Sequence, residues 1–436
     1  MNRAGKKGRA GGARLGGGRL ALAVLLVALF AGSSLADGLD PHFERLPFGC
    51  TIIRSEAVGS EQRAAIGQRL GVALKALSNT AVTLHGASLQ VNILEANTAA
   101  DAQRLYQAIL NAHRGDPAFC LRDGEKVVEF CKVPDSALAI KAAYELGYVT
   151  KPSCVRYRIK VGVATVRTAD YGAFNELSQL YFSADTARPS AETVARAAKL
   201  TQGFAFGDAL AVRCAQGADA SQVYRFAPAP AGVETQAGDR AVFAFRDLPK
   251  ALGVPHVTLT GEFACDASGL TPTTRRADAA LLAATRFWPV GDPGVRALAR
   301  DITKGRSDDK ARVEALLAWL EPGKHIKSEG PPGSRWGVKR VLAQRYGHCW
   351  DASDVFVTLA RAVGVPARQV GGWLYGTGGH VWAEVLVEGT GWQQVDPTGA
   401  GRLACGIYHI PYFTTEDGAM PILYVSLPRL EIIETR

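Results

Sequence analysis

The sequence predicts a mixed α+β fold, because helical and strand periods both recur along the chain. Apolar residues follow Ser60 at helical spacing as far as Leu77. Residues 155–163 instead alternate without a break, which is typical of a half-buried strand. Near the C-terminus a helical stripe ends at Gly364-Val365-Pro366, and strand alternation begins at His380. We therefore predict the fold class α+β.

The chain has 436 residues, which is enough for two or three domains that each bury a core. Residues 37–150 alternate strand and helix signals, which indicates a small α+β domain similar to a ferredoxin-like sandwich. Residues 151–268 are mostly strand-like and contain no catalytic motif, so we predict a β-rich domain with a structural or binding role. Residues 269–436 begin with helical patterns and form the predicted catalytic domain.

The first 36 residues have the pattern of a secretory signal peptide. A basic leader without acids precedes a twelve-residue apolar run, and Ser34-Leu35-Ala36 supplies small residues for cleavage after Ala36. Twelve apolar residues fall short of the roughly twenty that span a bilayer, so we predict no stable membrane span. The mature protein is then expected outside the cytoplasm, in the periplasm or the extracellular space.

Charge and cysteine spacing exclude two further classes of protein. Six of the nine net positive charges lie in the leader, so about +3 remains and nucleic-acid binding has no electrostatic support. None of the eight cysteines forms a C-x-x-C pair, which argues against a zinc or iron–sulfur site. We therefore predict no metal and no cofactor.

Cys349, His380 and Asp396 follow one another within 48 residues, in the local sequences that thiol catalysis requires. Cys349 begins a helical stripe, and the N–H groups and positive dipole end of a helix N-terminus favour a thiolate. An imidazole can act as the base, and a carboxylate can fix its orientation. Taken alone, Cys349 would favour a buried and inert cysteine.

The apolar pattern also predicts how His380 and Asp396 come together. If Val387 pairs with Gly391 in a hairpin, Val395 joins the apolar face of the ladder, and Asp396 falls on the face that carries His380. A slip by one residue would move Val395 to the polar face and separate the two catalytic candidates. The same register therefore satisfies both the core and the chemistry.

Residues 336–398 resemble the transglutaminase-like superfamily, whose fold and mechanism are similar to those of papain-like thiol enzymes. The resemblance rests on RYGHCWDAS around Cys349, HVWAEV at His380 and GWQQVDPT at Asp396. It implies that Cys349 is the nucleophile, His380 the general base and then acid, and Asp396 the orienting carboxylate. Animal members use calcium, but no oxygen-rich loop in this chain supports a calcium site.

Other site residues are predicted with alternatives. The backbone N–H of Cys349 is expected in the oxyanion hole, and Gln344 or Trp336 could supply the second donor. Trp350, Trp373 and Trp382 could wall an apolar slot for the acyl donor, or they could pack around the junction of helix and sheet.

Arg368 and Glu384 are predicted to be structural partners. The leading hypothesis is an exported cysteine enzyme that hydrolyses amide or peptide bonds of a protein or peptide substrate through a thioester. The first alternative is a protein-glutamine transamidase, and the second is a non-catalytic binding or scaffold module of the same fold.

Overall fold

The computed structural model describes residues 40–44, 46, 50–84, 87–168, 170–213, 225–237, 240–271, 276–321, 323–330, 333–398, 405–419 and 422–436. The predicted signal peptide 1–36 and Cys214 lie outside these described residues. Within them, no helix combines the length and the apolar character that crossing a membrane requires.

The chain forms two compact units. The first comprises Ile52–Val82 and Ser88–Ala139 together with Asp40, and the second comprises Pro41–Thr51, Thr83–Ala87 and Ile140–Arg436. The division predicted at 37–150, 151–268 and 269–436 stays a prediction of domain limits.

The first unit combines a five-stranded sheet with helices, and its sheet has the order β1-β2-β3-β5-β4. The elements in this part of the chain are β1 Cys50–Ala57, α1 Ser60–Leu70, β2 Leu74–Leu84, β3 Ala87–Ala96, α2 Ala99–Ala112, β4 Cys120–Asp123, β5 Lys126–Cys131 and α3 Ser136–Glu145. In a split βαβ unit another strand separates the two strands that a helix connects. Here β1 and β2 are neighbours, so the resemblance to a ferredoxin-like sandwich is wrong.

The helix predicted from Ser60 to Leu77 is shorter than its apolar pattern indicates. Gly71 has φ +71°, and its backbone N–H closes the last turn of α1 onto Gln68. Glycine adopts this left-handed conformation at no steric cost, so the helix ends there and β2 begins three residues later. Leu77 is buried as predicted, but it lies in strand β2 and not in a helix.

The second unit contains the remaining elements. Its helices are α4 Tyr171–Ser183, α5 Ala191–Leu200, α6 Pro293–Ile302, α7 Asp309–Leu320, α8 Val338–Gln344 and α9 Cys349–Ala362. Its strands are β6 Cys154–Arg167, β7 Ala205–Phe206, β8 Ala209–Arg213, β9 Arg225–Ala229, β10 Val233–Ala237, β11 Arg240–Ala244, β12 Lys250–Ala251, β13 Val254–Pro255, β14 Val257–Asp266, β15 Leu270–Thr271, β16 Lys327–Ser328, β17 Tyr346–Gly347, β18 Ala367–Leu374, β19 Gly378–Val387, β20 Gly391–Val395, β21 His409–Thr415, β22 Ile422–Tyr424 and β23 Arg429–Thr435.

Two sheets organise this unit. One has the order β22-β6-β14-β9, with β23 also paired to the long strand β6. The other has the order β15-β20-β19-β18-β21 and carries the predicted histidine and aspartate. Strands from the β-rich region and from the C-terminus therefore share sheets, and β15 pairs with β20 across residues 270–271 and 392–393.

Helix α9 is the centre of the C-terminal core. Its residues Val355, Phe356 and Leu359 are fully buried and pack in one cluster with Ala383 and Val395 of the second sheet. The predicted end of this helix at Gly364 is confirmed, since Gly364 has φ +84° and the Val365 N–H bonds back to the Ala360 carbonyl. This packing fixes the N-terminus of α9 relative to strands β19 and β20.

Candidate active site

Cys349 is the first residue of α9 and is half-buried. The preceding residue His348 has an extended backbone, and its carbonyl accepts the Ala352 N–H at 2.9 Å as the first bond of the helix. N–H groups in the first turn of a helix have no intrahelical partner. The sulfur thus lies at the helix end whose partial positive charge favours an anion.

The hairpin has the predicted register. Val387 pairs with Gly391, and Ala383 pairs with Val395. This pairing brings His380 and Asp396 together, with Nε2 of the imidazole 2.8 Å from Oδ2 of the carboxylate. Cys349 also acts on this imidazole, since its side chain contributes to raising the pKa of His380. Because Nε2 faces Asp396, Nδ1 is the nitrogen available to the sulfur.

Asp396 is buried and accepts four hydrogen bonds. Oδ1 accepts the Thr398 N–H at 2.9 Å and the Thr398 hydroxyl at 2.6 Å. Oδ2 accepts from Nε2 of His380 at 2.8 Å and from Nε2 of His409 at 3.0 Å. Burial disfavours the charged carboxylate, but the two imidazoles outweigh it and hold the pKa of Asp396 well below its usual range.

The His380 imidazole is favoured in its protonated form. Burial opposes the positive charge, but the charge and hydrogen bond of Asp396, together with Cys349, raise the pKa of His380 to about 10. A protonated imidazole next to the sulfur stabilises a thiolate. Burial raises the pKa of two other thiols, Cys50 and Cys120, to about 11.

His409 is the site residue that the sequence prediction missed. It begins β21, where it pairs with Leu374 of β18, and its side chain is 2% exposed. Its ring lies 5.1 Å from the ring of Trp382 in an edge-to-face arrangement. The family motifs end before it, and only the pairing of β21 with β18 brings it to Asp396, so no local signal could have identified it.

His380, Asp396 and His409 form the one group among the described residues with three potential metal-ligand atoms within 4.8 Å of one another. A histidine that binds a metal through Nε2 normally donates its Nδ1–H to an acceptor. Nδ1 of His409 is buried and has no hydrogen-bond partner among the described residues. The geometry instead matches two N–H donors on one carboxylate oxygen, so these residues do not fit a metal site.

The two candidates for the second oxyanion donor both have other contacts. The Gln344 amide donates to the Tyr346 carbonyl at 2.8 Å and accepts from Arg340 at 3.2 Å. The Trp336 backbone N–H donates to Oδ1 of Asp351 at 2.8 Å, and its indole packs edge-on against Tyr346. Within the described part of the chain, neither the Gln344 nor the Trp336 side chain has a hydrogen bond with Cys349.

The three tryptophans predicted to wall a slot have different surroundings. Trp350 is 6% exposed and lies under the Arg335 guanidinium, whose centre is 4.9 Å from its ring. Trp382 is fully buried, and its indole N–H donates to Gln394 at 2.7 Å. Trp373 pairs with Gly379 and so lies on the face of the strand pair opposite to His380. Trp350 and Trp382 therefore pack within the fold, Trp373 is half-buried, and the slot stays a prediction.

The predicted partnership of Arg368 and Glu384 is confirmed. The guanidinium donates to the carboxylate, both side chains are fully buried, and the guanidinium stacks 3.8 Å from the Trp392 ring. A second buried pair, Arg335 with Asp354, was not predicted. Asp354 also accepts the Trp288 indole N–H at 2.9 Å, which ties helix α9 to the chain that precedes α6.

Two more ionisable residues near the triad were not predicted. Asp351 lies in the first turn of α9, and burial raises its pKa to about 6. Lys141, in the part of α3 that belongs to the second unit, is 1% exposed, and its amine donates to the Thr377 hydroxyl at 3.4 Å. Burial lowers the pKa of Lys141 to about 8, against the opposing effect of Glu145 and Asp396.

These features define a mixed α/β protein in which a cysteine at a helix N-terminus lies near a histidine–aspartate pair on a sheet. Comparison with known proteins agrees, since residues 296–397 match the transglutaminase-like superfamily. A protein-glutamine gamma-glutamyltransferase from Pseudomonas aeruginosa is 30% identical over 123 residues, which cover 25% of this chain and 18% of that relative.

Two similar solved structures have low TM-scores. One is a candidate cysteine protease from Cytophaga hutchinsonii, with 12% identity, a TM-score of 0.38, and coverage of 65% of this chain and 92% of that one. The other is red sea bream transglutaminase, with 13% identity, a TM-score of 0.21, and coverage of 59% and 50%. The C-terminal region of this chain is transglutaminase-like, and the chain spans less than a fifth of its curated relative.

Proposed function

We propose that this protein is a cysteine hydrolase that cleaves amide or peptide bonds of a protein or peptide substrate. The observation that carries the proposal is the hydrogen-bonded pair of His380 and Asp396, together with the place of Cys349 at the N-terminus of α9. A thiol becomes an effective nucleophile when an adjacent base holds its proton and a third group orients that base. All three parts are present, and the transglutaminase-like match covers all three residues.

In the proposed reaction, Cys349 is the nucleophile and His380 carries its proton on Nδ1. The thiolate attacks the substrate carbonyl carbon, and the resulting oxyanion is stabilised by the Cys349 backbone N–H at the helix N-terminus. His380 then gives its proton to the leaving ammonia or amine, which leaves a thioester on the sulfur. A water molecule gives a proton to His380 and attacks the thioester, so that the acid product and the thiolate are released.

Asp396 keeps its negative charge throughout these steps. Its hydrogen bond to Nε2 of His380 holds Nδ1 toward the sulfur and stabilises the imidazolium. Thr398 donates twice to the other carboxylate oxygen, which keeps the carboxylate from rotating.

Transamidation is the second candidate, supported by the match to a protein-glutamine gamma-glutamyltransferase. The first half of the reaction is the same, and an amine then replaces water in the attack on the thioester. Because that relative matches over only 18% of its length, hydrolysis remains the leading proposal.

The test is ammonia release from a glutamine-containing peptide, with and without a primary amine, by the wild type and by Cys349→Ala. We expect release by the wild type alone, at least 10³-fold above the variant. Hydrolysis yields a glutamate product in both conditions, whereas transamidation yields an amine adduct when amine is present.

A matched control is Cys154→Ala, since Cys154 is also half-buried but burial raises its pKa. We expect this variant to retain wild-type activity. If the wild type and Cys349→Ala are equally inactive across peptide amides, the non-catalytic module is the better interpretation.

We also propose export to the periplasm or the extracellular space, on the basis of the leader in residues 1–36. Expression of the full chain in a bacterial host, followed by N-terminal sequencing of the exported fraction, tests this. A mature N-terminus at Asp37 is expected, and retention of the uncleaved chain in the cytoplasm would contradict it.

A further inference from the structure

Asp396 is bound by two imidazoles, and one of them has no part in the proposed reaction. His409 contacts the same carboxylate oxygen as His380, at 3.0 Å against 2.8 Å. Its side chain is 2% exposed, so it has no access to a substrate. A buried polar group of this kind requires a structural or an electrostatic reason.

The surroundings of His409 determine its tautomer. Nδ1 is buried and has no hydrogen-bond partner among the described residues. Nε2 faces an ionised carboxylate oxygen at 3.0 Å, and such an oxygen can only accept a hydrogen bond. The proton therefore lies on Nε2, from which it is donated to Oδ2 of Asp396.

The same surroundings keep His409 neutral. Burial lowers its pKa, and the positive charges of His380 and Lys141 act in the same direction, against the attraction of Asp396. A neutral donor stabilises the carboxylate without a second positive charge, which would compete with the His380 imidazolium for Asp396. Neutral His409 thus stabilises the Asp396 carboxylate and leaves the positive charge of His380 undisturbed.

The position of the donor is fixed by the fold. His409 pairs with Leu374 in the sheet, and its ring packs edge-on against Trp382, which itself lies 5.9 Å from the His380 ring. The carbonyl of His409 also accepts from the Cys265 thiol at 3.3 Å. The ring cannot turn away from Asp396 without displacing this packing.

We propose that His409 is a positioning residue, which donates a hydrogen bond to Asp396 and thereby fixes the carboxylate that orients His380 toward Cys349. This rests on the proposed function, since it assigns His409 to the same site. Thr398 holds Oδ1 and His409 holds Oδ2, so the acceptor for His380 has one orientation. The role is separate from the triad because His409 touches neither Cys349 nor the substrate carbonyl.

The experiment compares His409→Gln with His409→Asn, together with His409→Phe. The terminal amide nitrogen of glutamine can take the place of Nε2, whereas that of asparagine takes the place of Nδ1 and falls short of Asp396. Phenylalanine keeps the ring against Trp382 and removes the donor. The readouts are alkylation of Cys349 by iodoacetamide from pH 5 to 9, kcat and KM on the peptide amide, and thermal unfolding.

We expect His409→Phe and His409→Asn to lower kcat about 10- to 100-fold with KM unchanged, and to lower alkylation of Cys349 at pH 6 by a similar factor. His409→Gln should remain within about fivefold of the wild type, because its donor is retained. If His409→Phe does not fold, the Gln and Asn variants, which carry the same amide, decide the question.

Wild-type alkylation and kcat in folded His409→Phe or His409→Asn would overturn the inference, and so would an equal loss in the Gln and Asn variants. These outcomes are distinct from failure of the proposed function. If wild-type Cys349 reacts no faster than an ordinary thiol at pH 6, both proposals fail. If wild-type Cys349 is reactive and His409 variants do not change it, only the role of His409 fails.

Discussion

Asp351 and Asp396 are two buried aspartates of the candidate site, and their environments shift the pKa in opposite directions. Asp396 accepts from two imidazoles and from Thr398, and its pKa is held well below the usual range. Asp351, two residues after Cys349 in the helix, accepts the backbone N–H groups of Trp336 and His348, and burial raises its pKa to about 6.

The difference lies in the partners and not in the degree of burial, since Asp351 and Asp396 are 0% and 1% exposed. Backbone N–H groups offset only part of the cost of burying a carboxylate, whereas a protonated imidazole supplies an opposite charge. Asp396 can therefore stay ionised and support a cation next to the sulfur. Asp351 instead links the chain at Trp336 to the first turn of α9.

The largest expected effect comes from removing the charge at Asp396. Asp396→Asn keeps the shape but loses the negative charge, so the orientation of His380 and the stabilisation of its imidazolium are both lost. We expect kcat for peptide amide hydrolysis to fall about 10³- to 10⁴-fold, as it does when the aspartate of a serine triad is neutralised. The matched variant Asp351→Asn should fall by about tenfold or less, and equal losses in the two variants would remove the distinction.

The pH dependence of stability should also separate the ion pair from the rest of the fold. The raised pKa of His380 contributes stability that is complete below about pH 6.5 and is lost as the pH rises through about 10. The lowered pKa of Asp396 contributes stability above about pH 4 that is lost at more acidic pH. The pair thus stabilises the fold fully from about pH 4 to 6.5.

Urea unfolding of the wild type and of Asp396→Asn measures this contribution. We expect the difference in unfolding free energy between them to shrink by about 2–3 kcal/mol from pH 5.5 to pH 9. Over that range His380 loses its proton in the unfolded chain but keeps it in the folded wild type, which costs stability. A difference that does not change with pH would show that the His380–Asp396 pair is not charged in the folded protein.

The smallest expected effect concerns Asp351. Its contribution to stability falls as the pH rises, whereas that of Asp396 falls as the pH drops. A raised aspartate pKa gives stability that is complete below about pH 4 and is lost as the pH rises through about 6. Between pH 5 and pH 8 the wild type should therefore lose about 1–2 kcal/mol that Asp351→Asn does not lose. Urea unfolding at the two pH values measures it, and parallel losses in both proteins would contradict the assignment.

Much of the candidate site could be predicted from the sequence, because local patterns determine it. The alternating valines of β19 and β20 allow one register that buries Val395, and that register brings Asp396 to His380. The start and end of α9 follow from Gly347, Gly364 and the apolar stripe between them. Each of these features depends on residues that are close together in the chain.

The remaining features depend on long-range pairing and on charge partners that no local pattern shows. His409 reaches Asp396 because β21 pairs with β18, and Lys141 reaches Thr377 from a helix more than 200 residues earlier. The burial of Trp350 depends on a charge partner in the same way. Arg335 stacks on Trp350, and its buried partner Asp354 makes that burial possible.

The proposed chemistry requires that the His380–Asp396 pair activates the sulfur of Cys349 as a nucleophile. Its most direct test is the rate of iodoacetamide labelling at pH 6, measured residue by residue by mass spectrometry, with half-buried Cys154 as the internal reference. We expect Cys349 to react about 100-fold faster than Cys154, and Asp396→Asn to remove most of that advantage. Equal labelling of the two cysteines in the folded wild type would contradict the central claim.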